Sequence, residues 1–338
     1  MTASASKDNN IQRWTVTEAS EHSPCRLLTT PLTCNHRHGT QPYLDIRGGL
    51  LEGPYYTPAS NELRFIDLDH GKVYFLDVAK GPDSLTAISV ESPIGVTADV
   101  VADASSDNAK IIVAAKHGFA TLDRQSGALT YVNRIYNGSE ESYRMRFNDG
   151  AVDSHGRFWA GSCNDHRVVK VEDQGTLYRL DPDLSVHAMV KQMMCPNGIG
   201  WNAADTVMYL TDSPRGKIYA YDYDAHTGNI SNRRDFFTID PSIGEPDGFA
   251  MDVEGCLWVA VWRGSRILRV NPHGDITGEI SFPTRFVTCP EFVGTQLIVT
   301  TALEKEPLSY PESVRWSGKV YKLDVGVQGK PRNPFRPQ

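Results

Sequence analysis

The sequence has no basic excess. Its 338 residues carry 34 Lys and Arg against 41 Asp and Glu, for a net charge of −7. A chain without clustered Lys and Arg cannot neutralise a run of phosphates, so nucleic acid is excluded as a partner. No apolar run approaches the roughly 18 residues of a membrane-spanning helix, so no membrane partner is expected either. The first ten residues are polar and lack the apolar stretch of a secretory signal, from which a cytoplasmic location is expected. Cysteine is sparse. Cys25, Cys34, Cys163, Cys195, Cys256 and Cys289 are scattered, form no CxxC pair, and read as reduced thiols. The tract Cys34, His36, His38 has no second ligand pair at finger spacing and reads as a polar loop. No segment sustains a helical apolar stripe over about eleven residues, which disfavours parallel α/β folds. A GxSxG elbow and a Ser-His-Asp order are missing too, which disfavours serine-hydrolase chemistry.

What the chain does have is 28 Gly, 20 Pro and an internal repeat. Length alone favours two domains, but a repeat takes precedence over length. Asn148-Asp149-Gly150, Pro196-Asn197-Gly198 and Pro246-Asp247-Gly248 each precede a short apolar strand, a turn and a second apolar strand. Gly150 to Gly198 is 48 residues and Gly198 to Gly248 is 50. Leu51-Glu52-Gly53 opens an earlier unit, Ile94-Gly95 a weaker one, and Thr288 to Glu291 a last one, making six. Four short strands every 40 to 50 residues are the pattern of a propeller blade. The fold expected is therefore all-β, a six-bladed β-propeller with a central metal site. Residues 1–40 form an N-terminal extension, and residues 41–338 form one catalytic propeller domain. Tyr43 to Ile46 and Gly318 to Leu323 are candidates for closing the ring. Trp159, Trp201 and Trp258 recur at apolar strand positions and are expected in the blade core.

The residues directly before the repeated Gly read Glu52, Asp149, Asn197 and Asp247. A residue at the start of each innermost strand faces the channel, so these side chains are expected to converge. Asn-Gly and Asp-Gly are also common tight-turn dipeptides. Turns do not account for Glu52, however, nor for dipeptides that precede a strand instead of joining two. Oxygen donors favour hard divalent cations. Three side-chain ligands leave the ion open to water and substrate, which is the layout of a catalytic site.

The motifs Arg146-Phe147-Asn148-Asp149-Gly150, Asp153 to Gly161, Asn197 to Trp201, Tyr221 to Asp224 and Asp252 to Ala260 together resemble the SMP-30/gluconolactonase/luciferin-regenerating-enzyme family. The resemblance runs from about Leu50 to Pro334. It implies a six-bladed propeller with one divalent ion held by Glu52, Asn197 and Asp247. Ca²⁺ is the expected ion, with Zn²⁺, Mn²⁺ and Mg²⁺ as alternatives. It implies hydrolysis of a small-molecule lactone, with Arg146 and Asn148 touching substrate oxygens. Asp247 is the expected general base and Asp149 the alternative. Two segments depart from the family's pattern. Asn164-Asp165-His166 stands where an acidic substrate contact belongs, and Thr288 to Gly294 replaces a cysteine-rich stretch. His166 and Glu291 are therefore candidate substrate contacts. Non-catalytic calcium or metabolite binding, and another metal-assisted hydrolysis in secondary metabolism, are the alternative functions. The sequence carries no indication of oligomeric state.

Overall fold

The computed structural model describes residues 11–15, 41–101, 111–138 and 140–338. Cys25, Cys34 and the tract around His36 lie outside the described residues. Six sheets follow one another along the chain. Blade 1 comprises Leu51–Thr57, Glu62–Asp67, Lys72–Asp77 and Thr86–Ser89. Blade 2 comprises Ile94–Asp99, Ile111–Ala115, Gly118–Leu122 and Leu129–Arg134. Blade 3 is Met145–Val152, Phe158–Asn164, Gly175–Leu180 and Val186–Met193. Blade 4 is Pro196–Trp201, Val207–Asp212, Lys217–Asp224 and Asn229–Thr238. Blade 5 is Glu245–Met251, Leu257–Trp262, Arg266–Val270 and Ile276–Ser281. Blade 6 has three strands, Val287–Val293, Gln296–Thr301 and Val320–Asp324. The expected six-bladed propeller is what the chain forms.

Each blade is an antiparallel meander, most of its strands joined by turns of two to six residues and a few by longer loops, as at 165–174 and 302–319. Its two faces pack on the blades either side, so the core is not one mass but a ring of apolar layers. Ile66, Val73, Ile111 and Val113 fill the layer between blades 1 and 2. Phe119, Phe147 and Phe158 fill the next, and Trp159, Trp201 and Met208 the one after. Leu63, Phe65, Ile298 and Val320 close the ring between blades 6 and 1. Trp159, Trp201 and Trp258 are all buried, as expected of core positions. Ring closure falls on the expected segments but is brief. Leu44 and Val320 exchange both backbone bonds, at 3.0 and 3.3 Å, as a single bridge. At the N-terminal side, Gln12–Thr15 adds a fifth, parallel strand to the outer edge of blade 5.

All six inner strands run the same way, so the channel has a mouth, where they start, and a far end. The tail after Asp324 crosses the far end. Gly329 pairs with Asp252, Phe335 with Val100, and the Arg336 N–H donates to the Gly156 carbonyl.

The repeated dipeptides are bulges. In every inner strand the register with the second strand slips, between Phe147 and Gly150, Pro196 and Ile199, and Pro246 and Phe249 in blades 3 to 5. A bulge leaves extra residues unpaired and re-aims their side chains, here into the channel. The glycine follows because the blades crowd there. A Cβ on Gly248 would lie 2.5 Å from Cys289 Sγ, and Gly53 has φ +51°.

The register corrects one expectation. Flanking pairs 147/150, 196/199 and 246/249 place Asn148, Asn197 and Asp247 in the same phase, and the flanking pair 52/55 sets Glu52 one residue before it. Asp149 is one residue further on, at the position of Gly198 and Gly248. The Asp149-Gly150 dipeptide mimics the motif while standing one step out of register.

Candidate active site

Glu52, Arg146, Asn148, Asp149, Asn197 and Asp247 are all buried, between 4% and 8% exposed, at the start of their inner strands. Glu52 and Arg146 are paired with the second strand, and the other four sit in bulges held between paired residues, so blade geometry and not a loop positions the side chains. Glu52 Oε2 accepts from the Gly53 N–H at 3.1 Å, and Asp149 Oδ1 accepts from the Gly150 N–H at 2.7 Å. The amide of Asn197 donates to Ser213 Oγ at 3.0 Å, which turns its carbonyl oxygen away from Ser213. Asn197 Oδ1 and Asp247 Oδ1 are buried without any hydrogen-bond partner. Buried polar atoms are nearly always partnered, so a pair of bare oxygens in one plane calls for a ligand.

The electrostatics agree. Burial first, then the neighbouring Asp149 charge, pushes Glu52 up to about 8. Burial pushes Asp149 up to about 6. Burial, with Glu52 and Asp149 adding repulsion, holds Asp247 well above the usual carboxylate range. Three carboxyl groups, with Arg146 acting on Glu52 and Arg332 on Asp149, strain against full ionisation. A divalent cation would relieve that strain, and the donor set of two carboxylates and an amide oxygen fits a hard ion.

Arg146 and Asn148 are linked. Arg146 Nη1 donates to Asn148 Oδ1 at 2.7 Å and to the Phe147 carbonyl at 2.9 Å, while Asn148 Nδ2 donates to the Pro196 carbonyl at 3.0 Å. Asn148 therefore holds Arg146 in place with its own amide already engaged on both sides. Arg146 Nε remains buried and unpartnered. His166 joins this group, with Nδ1 3.4 Å from Arg146 Nη2. Burial, then the Arg146 charge, lowers the imidazole to about 4, so it is neutral at ordinary pH.

Glu291 reaches the channel but not this plane. It lies three residues beyond Thr288, which occupies the blade 6 bulge, and hence roughly 10 Å toward the far end at the rise of a strand. There its carboxylate accepts from Arg332 Nε at 2.6 Å and from the Phe292 N–H at 3.0 Å. The structure thus does not place it beside Arg146 and Asn148, where the substrate contact was expected. Sequence reasoning missed Arg332, because it lies on the non-repeating tail. Two cavities in the channel, one touching Asp149 and Cys289, the other Glu291 and Trp201, both reach Arg332.

Among the described residues, one other group of metal-binding side chains occurs, Asp252, Glu254 and Cys256 within 4.8 Å of one another. A cation is already there. Arg269 Nη2 lies 2.8 Å from Asp252 Oδ2 and 2.5 Å from Glu254 Oε2. The four cysteines among the described residues, Cys163, Cys195, Cys256 and Cys289, are free thiols. No helix among the described residues is long and apolar enough to cross a membrane.

A propeller with an acidic plane at one end of its channel defines the class of protein. The particular family is shown by sequence: the SMP-30/Gluconolactonase/LRE-like region matches residues 50–303, and the chain belongs to that family. It is 32% identical to regucalcin of Xenopus laevis over 285 residues, covering 82% of this chain and 92% of that one. It is 32% identical to the Bacillus subtilis protein named "Putative sugar lactone lactonase YvrE" over 299 residues, covering 86% and 96%. Among solved structures, a luciferin-regenerating enzyme superposes with a TM-score of 0.75 at 28% identity, covering 86% of this chain and 96% of the other.

Proposed function

We propose that the protein is a metal-dependent hydrolase that opens a lactone. The observation that carries this reading is the pair of bare buried oxygens on Asn197 and Asp247, in phase across two blades and beside Glu52. Glu52, Asn197 and Asp247 would hold one divalent ion, Ca²⁺ in this reading, with Zn²⁺, Mn²⁺ or Mg²⁺ compatible with the same donors. Bound there, the ion would supply Lewis-acid polarisation of the lactone carbonyl. Membership of a family whose description includes gluconolactonase, and the name of the Bacillus subtilis relative, support the reaction class.

The chain's own residues supply the rest. Arg146 places a fixed cation at the plane with one N–H free to donate to a substrate oxygen, and Asn148 fixes its position. Asp247, through the oxygen not engaged by the ion, or Asp149 takes the proton of the attacking water. Asp149 has the better starting point for that task, because burial lifts it to about 6, nearer neutral pH than an ordinary aspartate. The free Nε of Arg146 favours catalysis over bare ion storage, since a cation at a metal plane serves an anionic or polarised ligand and not the ion itself.

The test is a lactone panel with elemental analysis of the purified protein and of Asp247→Ala. The expected result is a bound divalent ion and lactone turnover in the wild type, and neither in a folded variant. Full activity in Asp247→Ala would overturn the reading, and tight ion binding with no turnover on any lactone would leave a binding protein.

A further inference from the structure

Segment 164–166 was expected to carry a substrate contact. Its carboxylate is not available for one. Asp165 Oδ1 accepts from Arg167 Nε at 2.8 Å, and Oδ2 accepts from Arg167 Nη2 at 2.7 Å and from Lys116 Nζ at 3.3 Å. A different carboxylate stands at the mouth. Asp69 lies on the blade 1 loop between Glu62–Asp67 and Lys72–Asp77, at the same end of the channel as Arg146. Its Oδ2 accepts from Lys305 Nζ, on a blade 6 loop, at 3.1 Å. Its Oδ1 is buried and has no hydrogen-bond partner. His166 Nε2 lies 4.0 Å from it, beyond hydrogen-bond distance. The other nitrogen of that ring lies 3.4 Å from Arg146 Nη2.

Three blades thus build one arrangement. Lys305 anchors Asp69 by one oxygen and leaves the other bare. Arg146 leaves Nε bare. The half-exposed His166 ring stands between them. An orphaned acceptor and an orphaned donor on either side of one ring suit a ligand that brings a hydroxyl to the first and an oxygen acceptor to the second.

We propose that Asp69 is a specificity-determining residue, accepting a hydrogen bond from a ring hydroxyl of the substrate, so that the site selects hydroxyl-bearing lactones over unsubstituted ones. The inference rests on the lactonase reading above. A site built to pair a substrate hydroxyl penalises the analogue that lacks it, because the buried acceptor stays bare.

The test compares wild type with Asp69→Asn on gluconolactone and on δ-valerolactone, which has no hydroxyl. The expected loss in kcat/KM is about tenfold or more on gluconolactone, carried mainly by KM, with δ-valerolactone unchanged within about twofold. Asp69→Glu should recover part of the loss. A purely structural role would lower both substrates together, and that result, or no change on either, overturns the proposal. Calorimetric titration with sorbitol, a neutral polyol, reads the same contact without turnover. If no lactone is hydrolysed but Asp69→Asn weakens sorbitol binding, the contact stands and the lactonase reading falls. If turnover is absent and sorbitol binding is the same in both proteins, the contact falls as well.

Discussion

The two ends of the channel treat buried charge in opposite ways. At the far end every described buried carboxylate is matched. Glu291 meets Arg332 and Asp252 meets Arg269, and the half-buried Asp99 likewise receives Arg64 Nη1 at 3.0 Å and Thr57 Oγ1 at 2.6 Å. Asp153 receives Trp159 Nε1 at 2.9 Å, Tyr223 OH at 2.8 Å and the backbone of its own turn. At the mouth, Asn197 Oδ1, Asp247 Oδ1, Asp69 Oδ1 and Arg146 Nε have no partner. Mouth residues can also be satisfied, as Asp212 shows by capping the Met194 and Cys195 N–H groups. The difference is therefore selective. The contrast lies in the carboxylates: Arg64 Nη2 and Arg157 Nη1 at the far end also lack a partner, but only at the mouth do Asp247 and Asp69 keep a carboxylate oxygen bare beside an open cation.

The largest test of this contrast is at the mouth. Asp247→Ala should lower lactone turnover by at least about a hundredfold and abolish divalent ion binding, because it removes a ligand and a proton acceptor together. The metal-free variant should melt no lower than the metal-free wild type, since the lost group is a buried carboxyl repelled by Glu52 and Asp149. Calorimetry with and without chelator checks both halves. A large drop in metal-free stability would mean that Asp247 is structural.

The opposite outcome is expected at the far end. Arg332→Met leaves Glu291 buried without its cation, which should cost about 3 kcal/mol in denaturant unfolding. The double variant with Glu291→Gln should recover most of it, as a coupled pair does. Additive losses would show that Arg332 acts through the packing of the tail and not through the ion pair.

The third test is pH. Asp149 is lifted to about 6 and Glu52 to about 8 in the metal-free fold. The unfolded chain releases the same protons near about pH 4. The folded state is therefore the better proton binder, and this source of stability is full below about pH 4 and lost as pH rises through 6 and then 8. An ion at the plane takes over from those protons. Added Ca²⁺ should raise the melting temperature more at pH 8 than at pH 5, and an equal rise at both would separate the ion from these carboxyls.

Much of the fold was legible because its period is written in turn chemistry. Asp153 and Asp252 each cap a turn by accepting two backbone N–H bonds and also hold a core tryptophan. One residue type thus marks both the turn and the strand after it in blades 3 and 5, and the spacing of Gly53, Gly150, Gly198 and Gly248 gives the blade count. The phase of the channel residues was less legible. Asp149-Gly150 reads like Asp247-Gly248, and only strand register shows that Asn148 is the true counterpart. Arg332 and Asp69 were not legible at all. One lies on a tail with no repeat to compare it with, and the other on a loop where a lone aspartate ordinarily means solvent.

Redundancy at the far end makes the smallest prediction. Trp159→Phe removes the indole donor to Asp153 Oδ2 and keeps the ring in its apolar layer. That oxygen retains Tyr223 OH at 2.8 Å and Arg157 Nε at 3.2 Å. The expected cost is about 1 kcal/mol, the net worth of one replaceable hydrogen bond, with lactone turnover unchanged. Urea unfolding and the gluconolactone assay measure the two effects. A loss near that of Arg332→Met would mean that the far-end partners act as one unit instead of backing one another up. The mouth would then differ from the far end by more than the absence of partners, because the far end would owe its stability to cooperation among them.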